Sequence, residues 1–486
     1  MGAGDMGGYQ IKRTDSVKVR ESLGHPVIDG DGHIIESRFV LPDFLNQIGG
    51  PDLAMRFQKE MATVRPGRPK NLFWSAHTGK GTIDRVTAML PRLYARRIEE
   101  AGIDFCTLFS TMGFRVQTLH DDELRQAGCR ALNMMYADMF KDVSDKMTPA
   151  ALIPMVTPGE AVAELEFACG ELGLKAAFIA GEVLRPIPAV EEVAPQLNDS
   201  VRQYTSIGLD SPYDYDPFWA KCVELKVAPA CHAFNFTGTH ASPTSYLYNR
   251  LGYFATSGFA AARSLFISGV TRRFPDLNIG FLEGGVWWGV ALYNDLVEFW
   301  EKRNVDALLE RHDPANVDLG LMEEMYRRYG NEYMTAERFM ENKDFFTRDG
   351  RTSPGEVPDF VDEWKNLDME KAEDLLQLFV KPFYFGCEAD DAMNYTAFNA
   401  KANAFGAKLN AMFSSDLGHW DVVDFGDVLE ETHEAVDKGL MSDEDFKDFV
   451  FTNPANYVTR MNPDYFKGTC VEGDVAKMMR DQGEAA

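Results

Sequence analysis

With 486 residues, 45% of them hydrophobic and 26% charged, the chain has material for at least one large core. Its formal net charge of −26 excludes the basic footprint that nucleic acid or an anionic membrane requires. The 7 cysteines form no C-x-x-C pair, which argues against a zinc ribbon or a thioredoxin-like redox motif and reads as a reduced, intracellular protein.

The polar, Gly-rich stretch from Met1 to Gln10 has no apolar segment of the signal-peptide kind, and residues 1–20 are expected to be flexible. No apolar run approaches the roughly 18 residues that a membrane span needs. The expected compartment is the cytoplasm, and the expected partner is a small-molecule substrate.

Short β-rich runs then alternate with helical stretches, the sequence form of a parallel α/β architecture. The runs are Val27 to Ile34, Phe105 to Thr111, Ala151 to Val156, Ala176 to Ala180, Val227 to His232, Asn278 to Glu283, Pro382 to Cys387 and Ala411 to Ser415. Most are dominated by apolar residues, as strands buried on both faces are. Between them, Glu160 to Leu172 follows Thr157-Pro158, a proline placement suited to a helix start, and Asp216 to Glu224 leads into the fifth run. Residues of about 35–100 and 289–380 read as long, mostly helical insertions over one end of the fold. The tail after Asn453-Pro454 reads as irregular. The expected architecture is a (β/α)8 TIM barrel, with residues 21–486 as a single domain.

In such a barrel the carboxyl ends of the strands converge on the face where active sites are built. The first run ends in Asp31-Gly32-His33, and residues two apart on a strand point to the same side. A lone D-x-H also reads as a turn-forming Asp-Gly before a surface histidine. The fifth run ends in His232, which alone could be a satisfied core residue. The sixth ends in Glu283, a candidate for a plain salt bridge, and the eighth leads into Asp416, a candidate helix cap. His419 and Asp421 follow close by and are expected to support that site from behind. Together Asp31, His33, His232 and Asp416 make a mixed nitrogen and oxygen set that suits zinc, manganese or iron.

The segments VIDGDGHIIES, ARRIEEAGIDFCTLFST, RFPDLNIGFLEGGVWW and MFSSDLGHWDV resemble, in that order, the amidohydrolase-related (amidohydrolase 2) family of metal-dependent hydrolases and decarboxylases. The resemblance implies that Asp31, His33, His232 and Asp416 hold one divalent metal ion, with zinc first and manganese or iron as alternatives. No lysine suited to a carbamylated bridge between two metals is evident. Many members place a histidine at the end of the sixth strand, where this chain has Glu283, which then reads as a metal ligand, a general base or a protonated acid.

The implied activity is hydrolysis of an amide, ester or thioester-type bond by a water that the metal activates, with Asp416, Glu283 and His232 as catalytic residues. His240, Trp287 and Trp420 are expected to bind substrate. Decarboxylation of an aromatic or unsaturated acid is the alternative on the same scaffold, and an inert barrel acting as a binding subunit is the other. A homodimer is expected.

Overall fold

The computed structural model describes residues 9–63, 76–198, 201–232, 242–347 and 361–485. Eight parallel strands form the expected barrel: β1 (Ile28–Ile34), β2 (Phe105–Ser110), β3 (Met147–Leu152), β4 (Ala176–Ile179), β7 (Pro229–His232), β8 (Ile279–Leu282), β9 (Phe383–Cys387) and β10 (Asn410–Phe413). Each neighbours the next in that order. Among the described residues two further strands, β5 (Glu182–Pro186) and β6 (Arg202–Ser206), make an antiparallel hairpin inserted between β4 and β7.

The ring is drawn together between β1 and the chain just beyond β10. Asp416 N donates to Asp31 O at 2.8 Å, and His33 N donates to Leu417 O at 2.7 Å. These bonds bring the two ends of the sheet together at its carboxyl edge, where the candidate site residues lie.

The strands are apolar because they are covered twice. All residues of β2, β3 and β9 are buried. Helices supply the outer layer, and their starts are written locally. Thr157 and Glu160 form a reciprocal capping box at the helix Pro158–Leu165, with Pro158 in the first turn. Asp121 caps Asp122–Phe140 by accepting from Leu124 N at 3.0 Å. Within the segment 1–20, Thr14 caps a helix at Asp15–Ser22, and the Ser16 hydroxyl accepts from Leu429 N and Glu430 N.

Two expectations are corrected. The third strand starts four residues before the predicted run, at Met147, and takes in Pro149; the apolar Ile153 to Val156 that prolonged the prediction is the loop leaving it. Proline has no N–H for the ladder and ordinarily marks an edge, yet Pro149 still pairs in register with Leu108. The tail after Asn453-Pro454 is helical, with Asn453–Thr459 and Glu472–Ala485, rather than irregular. Its first helix seals the amino end of the barrel. Asn278 Nδ2 donates to Tyr457 O at 2.9 Å, and a Cβ on Gly280 would come within 2.9 Å of Tyr457 Oη. Among the described residues no helix is long and apolar enough to cross a membrane.

Candidate metal centre

The first strand delivers its ligands through an irregularity. Asp29 pairs with Cys106 and Gly32 with Leu108, so β1 carries an extra residue between them, a β-bulge. Asp29 therefore parts company with Asp31. Its carboxylate accepts from Ser415 N at 2.8 Å, Ser415 Oγ at 2.6 Å and Cys106 Sγ at 3.0 Å, stitching β1 to the end of β10. Asp31 and His33, beyond the bulge, face His232 and Asp416 instead. Gly32 must lack a side chain, because a Cβ would meet Cys106 Sγ at 2.8 Å and both Leu108 and Tyr94 at 3.0 Å.

Of the four residues expected to meet, Asp31, His33 and His232 have ligand atoms all within 4.8 Å of one another, and Asp416 joins them through His33, with which it forms a second such set together with Glu283 and His419. His33 Nε2 lies 3.2 Å from His232 Nε2, 3.4 Å from Asp31 Oδ1 and 3.1 Å from Asp416 Oδ1. His232 Nε2 lies 3.3 Å from Asp31 Oδ2. Both oxygens of Asp31 and both of Asp416 are buried and make no aligned hydrogen bond. Cation–ligand bonds of about 2.0–2.2 Å at roughly tetrahedral or square angles put ligating atoms about 2.8–3.6 Å apart. The set of Asp31, His33 and His232, its spacing and its orphaned carboxylate oxygens thus fit one divalent cation, with Asp416 next to it across His33.

The electrostatics agree. Burial, then the charges of Asp416 and Glu283, hold the Asp31 carboxyl well above the usual range. Burial, then His419 and His232, push His33 well below the imidazole range, and burial takes His232 down to about 4. Both rings are therefore neutral near pH 7 and have lone pairs to offer. A cation among these groups offsets the carboxylate repulsion and satisfies those lone pairs.

Behind the ligands stands a charged layer. Glu283 Oε2 is 3.5 Å from His232 Nδ1, and its Oε1 accepts from Arg250 Nη2 at 3.2 Å. Arg250 Nη2 also donates to Asp421 Oδ2 at 2.6 Å, and its guanidinium lies 4.5 Å from the Phe254 ring. His419 stacks on His33 with ring centres 3.5 Å apart, and its Nδ1 is 2.6 Å from Asp416 Oδ1, a close ionic contact rather than an aligned hydrogen bond. Burial opposes charge on His419, but Asp416 and Glu283 outweigh it and raise its pKa well above the usual value.

Glu283 and Asp416 share a further property: their φ values are +59° and +53°, the left-handed region that side chains other than Gly, Asn and Asp rarely enter. Glu283 directly follows β8 and Asp416 lies three residues past β10, and both carboxylates gather at His33.

Of the other residues singled out from sequence, His240 lies outside the described residues. Trp287 opens the helix Trp287–Arg303 and is half-exposed, while its neighbour Trp288 is buried against Phe281 and Phe385. The Trp420 ring packs 5.8 Å from that of Tyr246.

Sequence reasoning missed Arg250, Phe114 and Glu388. The Phe114 ring stands edge-on to His232 at 4.7 Å, on the short helix Gly113–Val116 that follows β2. Glu388 directly follows β9, so the rule that picked out the other strand ends would have found it. Burial, then the charges of Asp416 and Glu283, raise its pKa well above normal.

A family profile described as amidohydrolase matches residues 28–362. No curated protein matches the chain in sequence. Among solved structures, an amidohydrolase from Mycobacterium avium subsp. paratuberculosis K-10 superposes with a TM-score of 0.53 at 14% identity, over 90% of this chain and 98% of that one. A 2,6-dihydroxybenzoate decarboxylase complexed with 2,6-dihydroxybenzoate gives 0.48 at 14%, over 90% and 99%. A dihydroxybenzoic acid decarboxylase from Polaromonas sp. JS666, with bound manganese and 2-nitroresorcinol, gives 0.47 at 16%, over 91% and 99%.

Proposed function

The chain belongs to the amidohydrolase family, and from that premise we propose that it is a metal-dependent hydrolase cleaving an amide, ester or thioester-type bond of a small organic molecule. The observation that carries this reading is that Asp31, His232 and Asp416 all approach Nε2 of His33 within 3.4 Å, with His419 2.6 Å from Asp416. The first four residues would hold the cation, zinc first, with manganese or iron as alternatives. Bound there, it supplies positive charge that polarises a substrate carbonyl and acidifies water.

The chain's own groups then move the protons. Asp416 takes the proton that the attacking water loses as the new C–O bond forms. His419, in ionic contact with Asp416, delivers a proton to the leaving nitrogen, oxygen or sulfur as its bond to carbon breaks. Glu283 orients His232 from behind, the outer-shell arrangement that fixes which ring nitrogen faces the centre. Phe114 and Phe254, edge-on to His232 at 4.7 Å and 6.2 Å, exclude water from one side.

Those same rings favour a second reading. A wall of Phe114, Phe178 and Phe254 around His232 suits a flat aromatic or unsaturated acid, and decarboxylation would need Asp416 to protonate the carbon that loses CO2. One experiment separates the two. Metal-loaded protein is given a panel of amides, esters, thioesters, lactones and aromatic acids, with acid release and CO2 scored in parallel. Hydrolysis predicts acid without gas, abolished in Asp416→Ala. CO2 from an aromatic acid, with every acyl substrate untouched, overturns the hydrolase reading.

A further inference from the structure

The hairpin β5–β6 walls a cleft of ≈ 620 Å³ at the carboxyl end of the barrel, floored by the loops after β2, β3 and β4. It adjoins the metal centre without belonging to it. Gln117, in the cleft floor, donates to Phe178 O at 3.1 Å, and the Phe178 ring lies 5.3 Å from that of His232.

Arg185 lines this cleft and is only 7% exposed. Its Nε donates to Thr205 Oγ1 at 2.8 Å, its Nη1 to Val156 O, and its Nη2 to Tyr215 Oη at 2.7 Å. The Tyr213 ring lies 4.7 Å from the guanidinium carbon. Every one of these partners is neutral. Tyr215 donates its own hydroxyl to Met155 O at 2.6 Å, and burial pushes its pKa up to about 12. The nearby Glu160 is already held by Arg125 at 2.8 Å and by the amide of Thr157 at 3.1 Å. Among the described residues no carboxylate stands within ion-pair distance of Arg185, and the second N–H on each terminal nitrogen has no acceptor.

A buried guanidinium without an opposite charge bears a desolvation cost that neutral hydrogen bonds only partly offset. An oxyanion presented from the cleft would meet the free N–H groups as a fork meets a fork. Asp122, Glu182, Glu191 and Asp210 also line the cleft and disfavour a multiply charged ligand. We infer that the β5–β6 cleft is a second ligand site, in which Arg185 takes the carboxylate of a small, singly charged organic acid. This assignment is independent of the reaction at the metal centre.

Gln203 supplies the test, because it faces Arg185 across the hairpin in register, lines the cleft and is exposed. Gln203→Glu places a carboxylate beside Arg185 without disturbing the core. Metal-loaded protein is titrated by ligand-observed NMR with sodium butyrate and, separately, with inorganic phosphate. Butyrate is expected to bind at one site, at least tenfold more weakly in Gln203→Glu and in Arg185→Gln, and unchanged in Asp416→Asn. Gln203→Glu is also expected to melt higher than the wild type. If Arg185→Gln fails to fold, the Gln203→Glu pair of readouts decides. Equal butyrate affinity in wild type and Gln203→Glu overturns the site, as does the absence of butyrate binding to the wild type. Tighter binding of phosphate than of butyrate overturns the carboxylate assignment.

Discussion

Glu283 Oε2 stands 3.5 Å from Nδ1 of His232, while Nε2 of the same ring stands 3.2 Å from Nε2 of His33. The ring thus bridges a carboxylate behind it to the centre in front. Carboxylates in this position typically account for a 10–100-fold share of metal affinity. Glu283→Gln is expected to weaken zinc binding by about that factor while the protein stays folded, measured by competition with a chromophoric chelator. Undiminished affinity would show that Glu283 serves only as the counter-ion of Arg250.

The crowding of Asp31, Asp416 and Glu283 makes the centre costly to fold without a cation. Chelation of metal-loaded protein is expected to lower the melting temperature, and added zinc or manganese to restore it. A ligand at about 100 times its Kd contributes roughly 2.7 kcal/mol. Asp31→Asn should abolish this metal dependence, yet melt above the wild type when both are metal-free, because it removes a buried carboxyl that its neighbours repel. A wild-type melting temperature indifferent to chelator and metal would count against the centre.

The backbone at Asp416 offers a separate test. With φ at +53°, alanine is strained there and glycine is not. Both Asp416→Ala and Asp416→Gly should be inactive, but the glycine variant is expected to be more stable by about 1 kcal/mol in chemical denaturation. Equal stability would mean that the bond from Asp416 N to Asp31 O holds the conformation without strain.

How much of this was legible follows from how each feature is encoded. The barrel strands declare themselves because burial on both faces demands continuous apolar runs, and their last polar residues mark the mouth: Asp31, His33, His232, Glu283 and Asp416. The bulge between Asp29 and Gly32 left no such trace, since it is a property of pairing with β2 rather than of β1 alone. Arg250 sits on the five-residue helix Tyr246–Arg250, and its partners Glu283 and Asp421 are 33 and 171 residues away. Phe114 reads locally as one more core aromatic. The β5–β6 hairpin mixes charged and apolar residues, because one of its faces meets the cleft rather than the core.

Away from the centre, Glu164 provides a pH signature that the fold alone predicts. It accepts from Asn133 Nδ2 at 2.8 Å and from Arg130 Nε at 3.0 Å, yet burial raises its pKa from 4.5 to about 7. Between those values the folded chain holds a proton that the unfolded chain has released. Glu164 therefore favours folding most at low pH, and its contribution falls as pH rises from about 4.5 to about 7. Glu164→Gln does not titrate. It stays neutral at every pH, and its stability relative to wild type is expected to improve steadily across that window, by at most about 3 kcal/mol. Urea denaturation of metal-loaded wild type and variant at pH 5, 6, 7 and 8 measures it. A stability difference flat from pH 5 to 8 would place the folded pKa near its unfolded value, with the Arg130 and Asn133 contacts offsetting the burial.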